Sequence, residues 1–298
     1  MKRGFEVSHA NSGARGMRAI LHRQIEAAIT GLPRAHPTDE EIHEARKQMK
    51  AARATLRLLR PLLNETSYRS ENRILRDAAR ALSAARDSTV LVKTLEELVE
   101  RVPGKSTRKR LTAFEAQLQR DARRSRAQVA RSGLRRSAAQ LRTALQRVDS
   151  WLETEPAWDT VRRSLRDSYR KGRRCARCNA RRLDDAILHE WRKRAKYLRS
   201  QLQVLAPVQH ASLKSMADEL RELTDQLGQE HDLAVLSELA RQDGRHRVEG
   251  KANRELQRLI DKRRRKLRKR ALRVGLPLYA EKPGHFAARL RGYVRVPM

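Results

Sequence analysis

One stretch of this chain occurs twice. His43-Glu-Ala-Arg46-Lys47-x-x-Lys50-x-x-Arg53 returns as His189-Glu-Trp-Arg192-Lys193-x-x-Lys196-x-x-Arg199, 146 positions further on, with the histidine and every cation in register. The same shift carries Leu59 and Pro61 onto Leu205 and Pro207. Leu75-Arg76 through Leu82 to Arg86-Asp87 then matches Leu220-Arg221 through Leu227 to His231-Asp232 at a shift of 145, so the two halves differ by one residue in a loop. A match of this extent calls for two supersecondary units of one kind, each of about four helices.

The units are expected to be helical. Apolar residues make up 39% of the 298 and are mostly Ala and Leu, while aromatics reach only 4%. Few β-branched residues and few glycines interrupt the helical periodicity. Helices are predicted near residues 17–30, 39–60, 71–86, 88–101, 106–131 and 134–152, then near 158–180, 184–206, 210–228, 231–241 and 251–272. Thr38 or Asp39 caps the second of these, with Glu40 and Glu41 suiting the helix dipole, and Pro61 disturbs its end. Glu155-Pro156 is the expected boundary between the halves. The organisation read from this is a disordered segment over 1–14, a first bundle over 15–155, a second over 156–272 and a basic, partly disordered tail over 273–298. The fold class is all-α, with two repeated four-helix bundles in pseudo-two-fold arrangement.

At about 100° per residue, His43, Arg46, Lys47, Lys50, Arg53 and Arg57 share one arc of their helix, and Ile42, Ala45, Met49, Ala52, Leu56 and Leu59 share a neighbouring one. His189, Arg192, Lys193, Lys196 and Arg199 repeat the basic arc, beside Leu188, Trp191, Ala195, Leu198 and Leu202; Gln203 stands at the sixth basic position. A third stripe holds Arg163, Arg166, Arg170, Arg173, Arg174, Arg177 and Arg181. Like charges at i,i+3 and i,i+4 cost a helix ~0.2–0.5 kcal/mol per pair. An ordinary solvated face interleaves acids with cations. These arcs hardly do, and two of them recur in register, which points to a bound polyanion.

The whole chain agrees with that partner. Sixty-eight Lys and Arg stand against 35 Asp and Glu, a formal charge of +33, and most of the cations are Arg, whose planar fork pairs two donors with two oxygens of one phosphate. The two histidines that open the stripes can donate to phosphate oxygens and gain charge as pH falls. The first residues lack the apolar run of a signal peptide and no window has the apolar length of a membrane span, so a cytoplasmic protein is expected. Cys175 and Cys178 lie in an Arg-rich helix without a second ligand pair, so neither a disulfide framework nor a zinc site is expected.

Two other classes compete. RNA or DNA would use the same cations through counterion release, although Trp191 and Tyr197 lie off the basic arc and no aromatic platform interleaves it. A metal-dependent phosphohydrolase would begin from His231-Asp232, with His210 and Asp261. Its repeat counterpart is Arg86-Asp87, and Arg does not normally ligate a divalent metal. Asp87 and Asp232 are therefore expected to cap helices or to orient cations. No Gly-rich phosphate loop or nucleophile elbow is visible. Neither a catalytic residue, a metal nor a cofactor is expected.

At these residues the chain resembles the conserved histidine α-helical domain (CHAD) family. The doubled His-x-x-Arg-Lys-x-x-Lys-x-x-Arg motif, both Asp-containing junctions and Tyr169-Arg170-Lys171-Gly172-Arg173 carry the likeness over roughly residues 15–272. The resemblance implies two four-helix bundles about a basic central groove or pore that binds inorganic polyphosphate, and placement at polyphosphate granules. By motif, binding would fall on His43, Arg46, Lys47, Lys50, Arg53, His189, Arg192, Lys193, Lys196 and Arg199, with Arg166, Arg170 and Arg173 as additions; Arg57 extends the first stripe. Some relatives carry a triphosphatase domain with Glu-x-Glu-x-Lys. Here Glu153-x-Glu155 is followed by Ala157, not Lys, and hydrolysis is not implied.

Overall fold

A computed structural model of the chain describes residues 14–32, 38–102, 104–151, 158–181, 184–205, 211–242 and 248–290. The expected N-terminal segment, apart from its last residue, the Glu155-Pro156 boundary and His210 lie outside them. Eleven α-helices make up the described residues, which hold no strand: α1 (Ala14–Thr30), α2 (Asp39–Leu58), α3 (Glu65–Ala81), α4 (Ser83–Val99), α5 (Lys105–Gln128), α6 (Leu134–Arg147), α7 (Trp158–Arg181), α8 (Asp185–Leu205), α9 (Ala211–Arg241), α10 (Gly250–Leu278) and α11 (Pro283–Arg289). The fold is all-α.

Local chemistry sets the ends. Thr38 caps α2 in a reciprocal box: its hydroxyl accepts the Glu41 N–H at 3.2 Å, and the Glu41 carboxylate accepts the Thr38 N–H at 2.8 Å, satisfying two otherwise orphaned donors. Asn64 caps α3 by accepting from Ser67 N at 2.8 Å. The expected break at Ser132-Gly133 is a single π-helical turn, Val129–Gly133, between α5 and α6. A Cβ on Gly133 would lie 2.6 Å from the Ala81 carbonyl, so only glycine lets this turn meet α3. The second half departs from expectation at residue 228. There α9 runs unbroken where two helices were predicted, because one interior glycine costs a helix only ~1 kcal/mol and Leu223, Leu227, Leu233 and Leu236 bury its length on both sides.

Packing follows chain order: α1 on α2, α2 on α3, α3 on α6 and α4 on α5, then α7 on α8, α8 on α9 and α9 on α10. All the apolar positions named for α2 and α8 are buried. The hydrophobic clusters do not divide at the expected boundary. One takes in α1, α2, α3 and α6 together with α7, α8, the first part of α9 and α11. The other joins α4 and α5 to Leu233, Leu236 and Ala240 of α9 and to Ala252, Leu256, Ile260 and Leu267 of α10. Each half thus buries its apolar stripes against the other.

Residues 273–290 of the expected basic tail are built into the fold. Helix α10 continues to Leu278, and α11 packs on α7 with Phe286 and Ala287 buried. Tyr169 stacks on Phe286 at 4.2 Å between ring centroids, and its hydroxyl donates to the carbonyls of Leu278 and Glu281 at 3.2 Å each. Gly172 leaves room for Tyr279, whose hydroxyl would lie 2.5 Å from a Cβ there. Leu278, Tyr279, Phe286, Ala287 and Leu290, buried apolar anchors hidden among cations, hold this end, which charge content alone does not reveal.

Candidate functional site

Helices α2 and α8 lie against one another, each burying an Ala-containing stripe and leaving its basic arc beside the seam. Arg46 reaches across to the junction of α3 and α4, donating to the Ala79 carbonyl at 3.1 Å and to Ser83 Oγ at 2.5 Å. Gly228 stands at the position that matches Ser83, and a Cβ there would be 3.9 Å from Arg192. The Nε of Arg192 is shielded from solvent and has no hydrogen-bond acceptor, as is the Nε of Arg199. A buried guanidinium donor left this way costs ~1–3 kcal/mol, which an anionic oxygen would recover.

The cationic arcs converge on two lysines. Lys50 sits in a crowded hollow and its ammonium is lowered to about 8, first by burial and then by Arg46 and Arg192. Lys196 is lowered to about 7 by burial, then by Arg192 and Lys50. Burial, Arg86 and Lys50 lower His43. His189 is exposed, and its ring stands 4.8 Å from that of His231. Burial with Arg192, His189 and Lys196 takes His231 down to about 4.

Arg86 and His231, at matched positions, therefore belong to this cluster. The sequence singled them out only as a possible metal-ligand dipeptide and its counterpart; their alignment one residue before Asp87 and Asp232 is the signal that joins them to the basic arcs. Both aspartates lie inside helices, α4 and α9, so they do not cap; they face the cations. Burial raises Asp232 against the pull of Arg192 and Lys196, and Asp87 is near enough to raise it further.

Beyond Lys50 the α2 stripe enters a hollow of about 830 Å³ between α2, α3, α7 and α8. Arg53, Arg57, Arg60, Arg76, Arg80, Lys171, Lys193 and Arg194 line it, with Tyr68, Asn72 and Tyr197. Burial and the adjacent Arg57 lower Arg53, whose Nε donates to Asn72 at 3.2 Å. The Arg57 guanidinium lies 3.7 Å above the centre of the Tyr197 ring, a cation–π contact that holds it ready. Burial also lowers Arg199, offset by Asp225; Arg199 donates to Thr224 at 3.1 Å. Lys47 and Lys193 pair with Glu44 and Glu190, each at 3.1 Å on an exposed face.

The third stripe is not brought to this place. Helix α7 turns Ser164, Asp167, Ser168 and Lys171 into the hollow, whereas Arg166 is exposed on another face and Arg170 pairs with Asp167 at 3.2 Å. Arg173 donates to the carbonyls of Tyr279 and Ala280 at 3.1 and 3.3 Å, capping the end of α10. Tyr169, Gly172 and Arg173 thus dock the C-terminal helices, while Lys171, which the stripe omits, reaches the hollow.

Acids at the helix starts hold the frame. Asp39 opens α2 and meets Arg126 at 2.8 Å. Asp185, its repeat counterpart, opens α8 and meets Arg264 at 2.7 Å as well as Arg268, and both arginines also reach Glu230 of α9. Burial opposes the charge on Asp185, but the hydrogen bonds and charges of Arg264 and Arg268 keep its carboxyl below the usual range. Among the described residues no group of three or more His, Cys, Asp or Glu is placed to hold a metal, and no helix is long and apolar enough to cross a membrane. Cys175 and Cys178 are free thiols.

Known proteins share this architecture. The family model described as the CHAD domain matches residues 19–241. The crystal structure of the CHAD domain from the plant Ricinus communis superposes with a TM-score of 0.59 at 18% identity, covering 100% of this chain and 99% of that one. PptA from Streptomyces chartreusis superposes with a TM-score of 0.61 at 14% identity, over 91% of this chain and 100% of that one. No curated protein matches the chain. With its paired histidine helices packed together and the family model spanning most of its length, the chain belongs to the CHAD domain family.

Proposed function

We propose that the chain binds inorganic polyphosphate without acting on it chemically, in a basic central groove where α2 and α8 face one another as pseudo-two-fold mates. His43, Arg46, Lys47, Lys50, Arg53 and Arg57 supply one wall, and His189, Arg192, Lys193, Lys196 and Arg199 the other. Arg86 and His231 add to the cluster, and the hollow beyond Arg53 gives the polyanion a path outward. Arg166, Arg170 and Arg173 have no part in this reading.

The observation that carries it is the meeting of Lys50 and Lys196 with Arg46 and Arg192, in which burial first and then the neighbouring cations lower both lysines. Such crowding is unfavourable in the free protein and is relieved by an anion carrying one charge per phosphate. Asp87 and Asp232 offset part of it and hold the cations in place. The matched pairs Arg86-Asp87 and His231-Asp232 lie among these cations, an arrangement suited to holding a polyanion, since Arg does not normally ligate a divalent metal. Placement at polyphosphate granules follows from affinity for the polymer.

Substituting Arg46, Lys50, Arg192 and Lys196 together by Ala tests the assignment. Loss of long-chain polyphosphate binding by at least about a hundredfold in a variant with unchanged helical circular dichroism is expected. A folded variant of unchanged affinity overturns it.

A further inference from the structure

Helix α10 lies beyond the residues that the family model matches, and it carries a basic feature that the central cluster does not use. Lys262, Arg265, Lys266, Lys269, Arg270 and Arg273 are all exposed. At 100° per residue they form one arc, opposite the arc of Leu256, Ile260 and Leu267, which are buried in the distal cluster, and Ala271, which is buried in the main one. Arg264 and Arg268, between the two arcs, are consumed by Asp185 and Glu230. From Lys262 to Arg273 the helix therefore divides its nine cations: Arg264 and Arg268 clamp α8 and α9, Arg263 donates to Gln229 at 3.3 Å, and six face outward.

The one acid beside these six is Asp261, four residues before Arg265 at the start of the arc. The chain from Lys262 to Ala280 contains no acid, and among the described residues none of the six lies within ion-pair distance of a carboxylate. Every i,i+3 and i,i+4 neighbour pair along the arc is like-charged, a standing cost to the helix that its packing and the Asp185 clamp sustain. The corresponding long helix of the first half does not repeat the feature, since Glu115 and Asp121 interrupt α5. Duplication therefore does not account for it.

We infer that the outer face of α10 is a second binding surface, for the phosphate backbone of double-stranded DNA, separate from the central groove. The row is straight, convex and ~16 Å long at ~1.5 Å per residue. A flexible polyanion is better held by a hollow that surrounds it, because a convex ridge must order the chain with contacts on one side only. A duplex already holds its phosphates in a rigid array, with one charge per ~1.7 Å of axis. The ridge bears no aromatic side chain from Lys262 to Val274, so it offers no platform for single-stranded bases. A helix half embedded in the protein can seat at the edge of the ~12 Å major groove of B-form DNA and touch the flanking backbones, whereas the deep, narrow groove of an RNA duplex excludes it. Contacts of this kind are independent of sequence.

The test replaces Lys262, Arg265, Lys266, Lys269, Arg270 and Arg273 by Gln in the full chain. All six are exposed and Gln is a good helix former, so the fold is preserved. Fluorescence anisotropy with a 30-base-pair DNA duplex, a duplex RNA of equal length and long-chain polyphosphate is recorded from low to physiological salt. The unaltered protein is expected to bind DNA with a slope of log affinity against log salt of about −5, six contacts at ~0.9 each, and more weakly to bind RNA. The six-fold variant is expected to lose at least about tenfold in DNA affinity and most of that slope, with polyphosphate binding within about twofold. The Arg46, Lys50, Arg192, Lys196 alanine variant is expected to keep DNA binding. The inference is overturned by unchanged DNA affinity in the six-fold variant, by equal RNA binding, by a parallel fall in polyphosphate affinity, or by loss of DNA binding in the central variant. Failure of the unaltered protein to bind polyphosphate would count against the central-groove reading alone.

Discussion

Lys50 and Lys196 carry the pH dependence of the site. Both titrate lower in the fold, at about 8 and about 7, than in an unfolded chain, where lysine titrates near ~10.4. Between these values the unfolded chain holds more protons than the folded one, so the stability of the free protein rises with pH from about 7 towards 10. A bound polyanion restores both ammonium groups, so binding takes up protons and weakens as pH rises through 7 to 8. Affinity for polyphosphate is expected to be at least about threefold higher at pH 6.5 than at pH 9 at constant salt, with proton uptake in calorimetry at pH 8; pH-independent binding without uptake contradicts this. Glu71 poses the reverse case. It is buried against Arg147, whose Nη2 stands 2.5 Å away, yet neither carboxylate oxygen has an aligned donor, and burial raises its pKa despite Arg147. Met216 fills the matched place in the second half. Glu71→Met is expected to be neutral or stabilising. Arg147→Ala should cost about 2 kcal/mol at pH 7 and progressively less as pH falls, because burial favours the protonated form of Glu71; thermal melts of both variants across that pH range decide. The paired stripes were legible in the sequence because their spacing repeats. The bond from Arg173 to backbone carbonyls was not, since a cation that caps a helix and one that binds phosphate look alike until the acceptor is known.

At the scale of the element, α7 shows how a correct pattern can point to the wrong face. Its arginines do share an arc, but the buried stripe of Leu165, Tyr169, Gly172 and Ala176 fixes the rotation so that Lys171 reaches the hollow instead. Tyr169, Gly172 and Arg173 owe their places to the last two helices. Gly172→Ala pushes a methyl group to within about 2.5 Å of the buried Tyr279 hydroxyl and is expected to lower stability by about 1–3 kcal/mol. Phe286→Ala should cost more, about 3–5 kcal/mol, and expose sites between 273 and 290 to limited proteolysis. Melting temperatures equal to the parent's would contradict the docking role of this segment. Helix existence and type were readable from periodicity and caps. The continuity of α9 through Gly228 was not, because a lone glycine marks a stop in one context and close packing in another.

On the scale of the whole molecule, duplication places α2 and α8 together and lets each half bury its apolar stripes against the other. The sequence implied the partnership of these two helices but not the distal cluster shared by α4, α5, α9 and α10, which depends on how far each long helix extends past the seam. On the proposed reading, a groove lined from both halves engages successive phosphates of one chain, and contacts made along a single polymer add as intramolecular events. The most direct measurement is competition for the full-length protein between labelled long-chain polyphosphate and either unlabelled long chain or triphosphate, matched for moles of molecule at near-physiological salt. A long chain that competes at least about a hundredfold better than triphosphate is the predicted result, whereas triphosphate competing equally per mole would mean that a compact anion fills the site and that the groove does not follow a polymer.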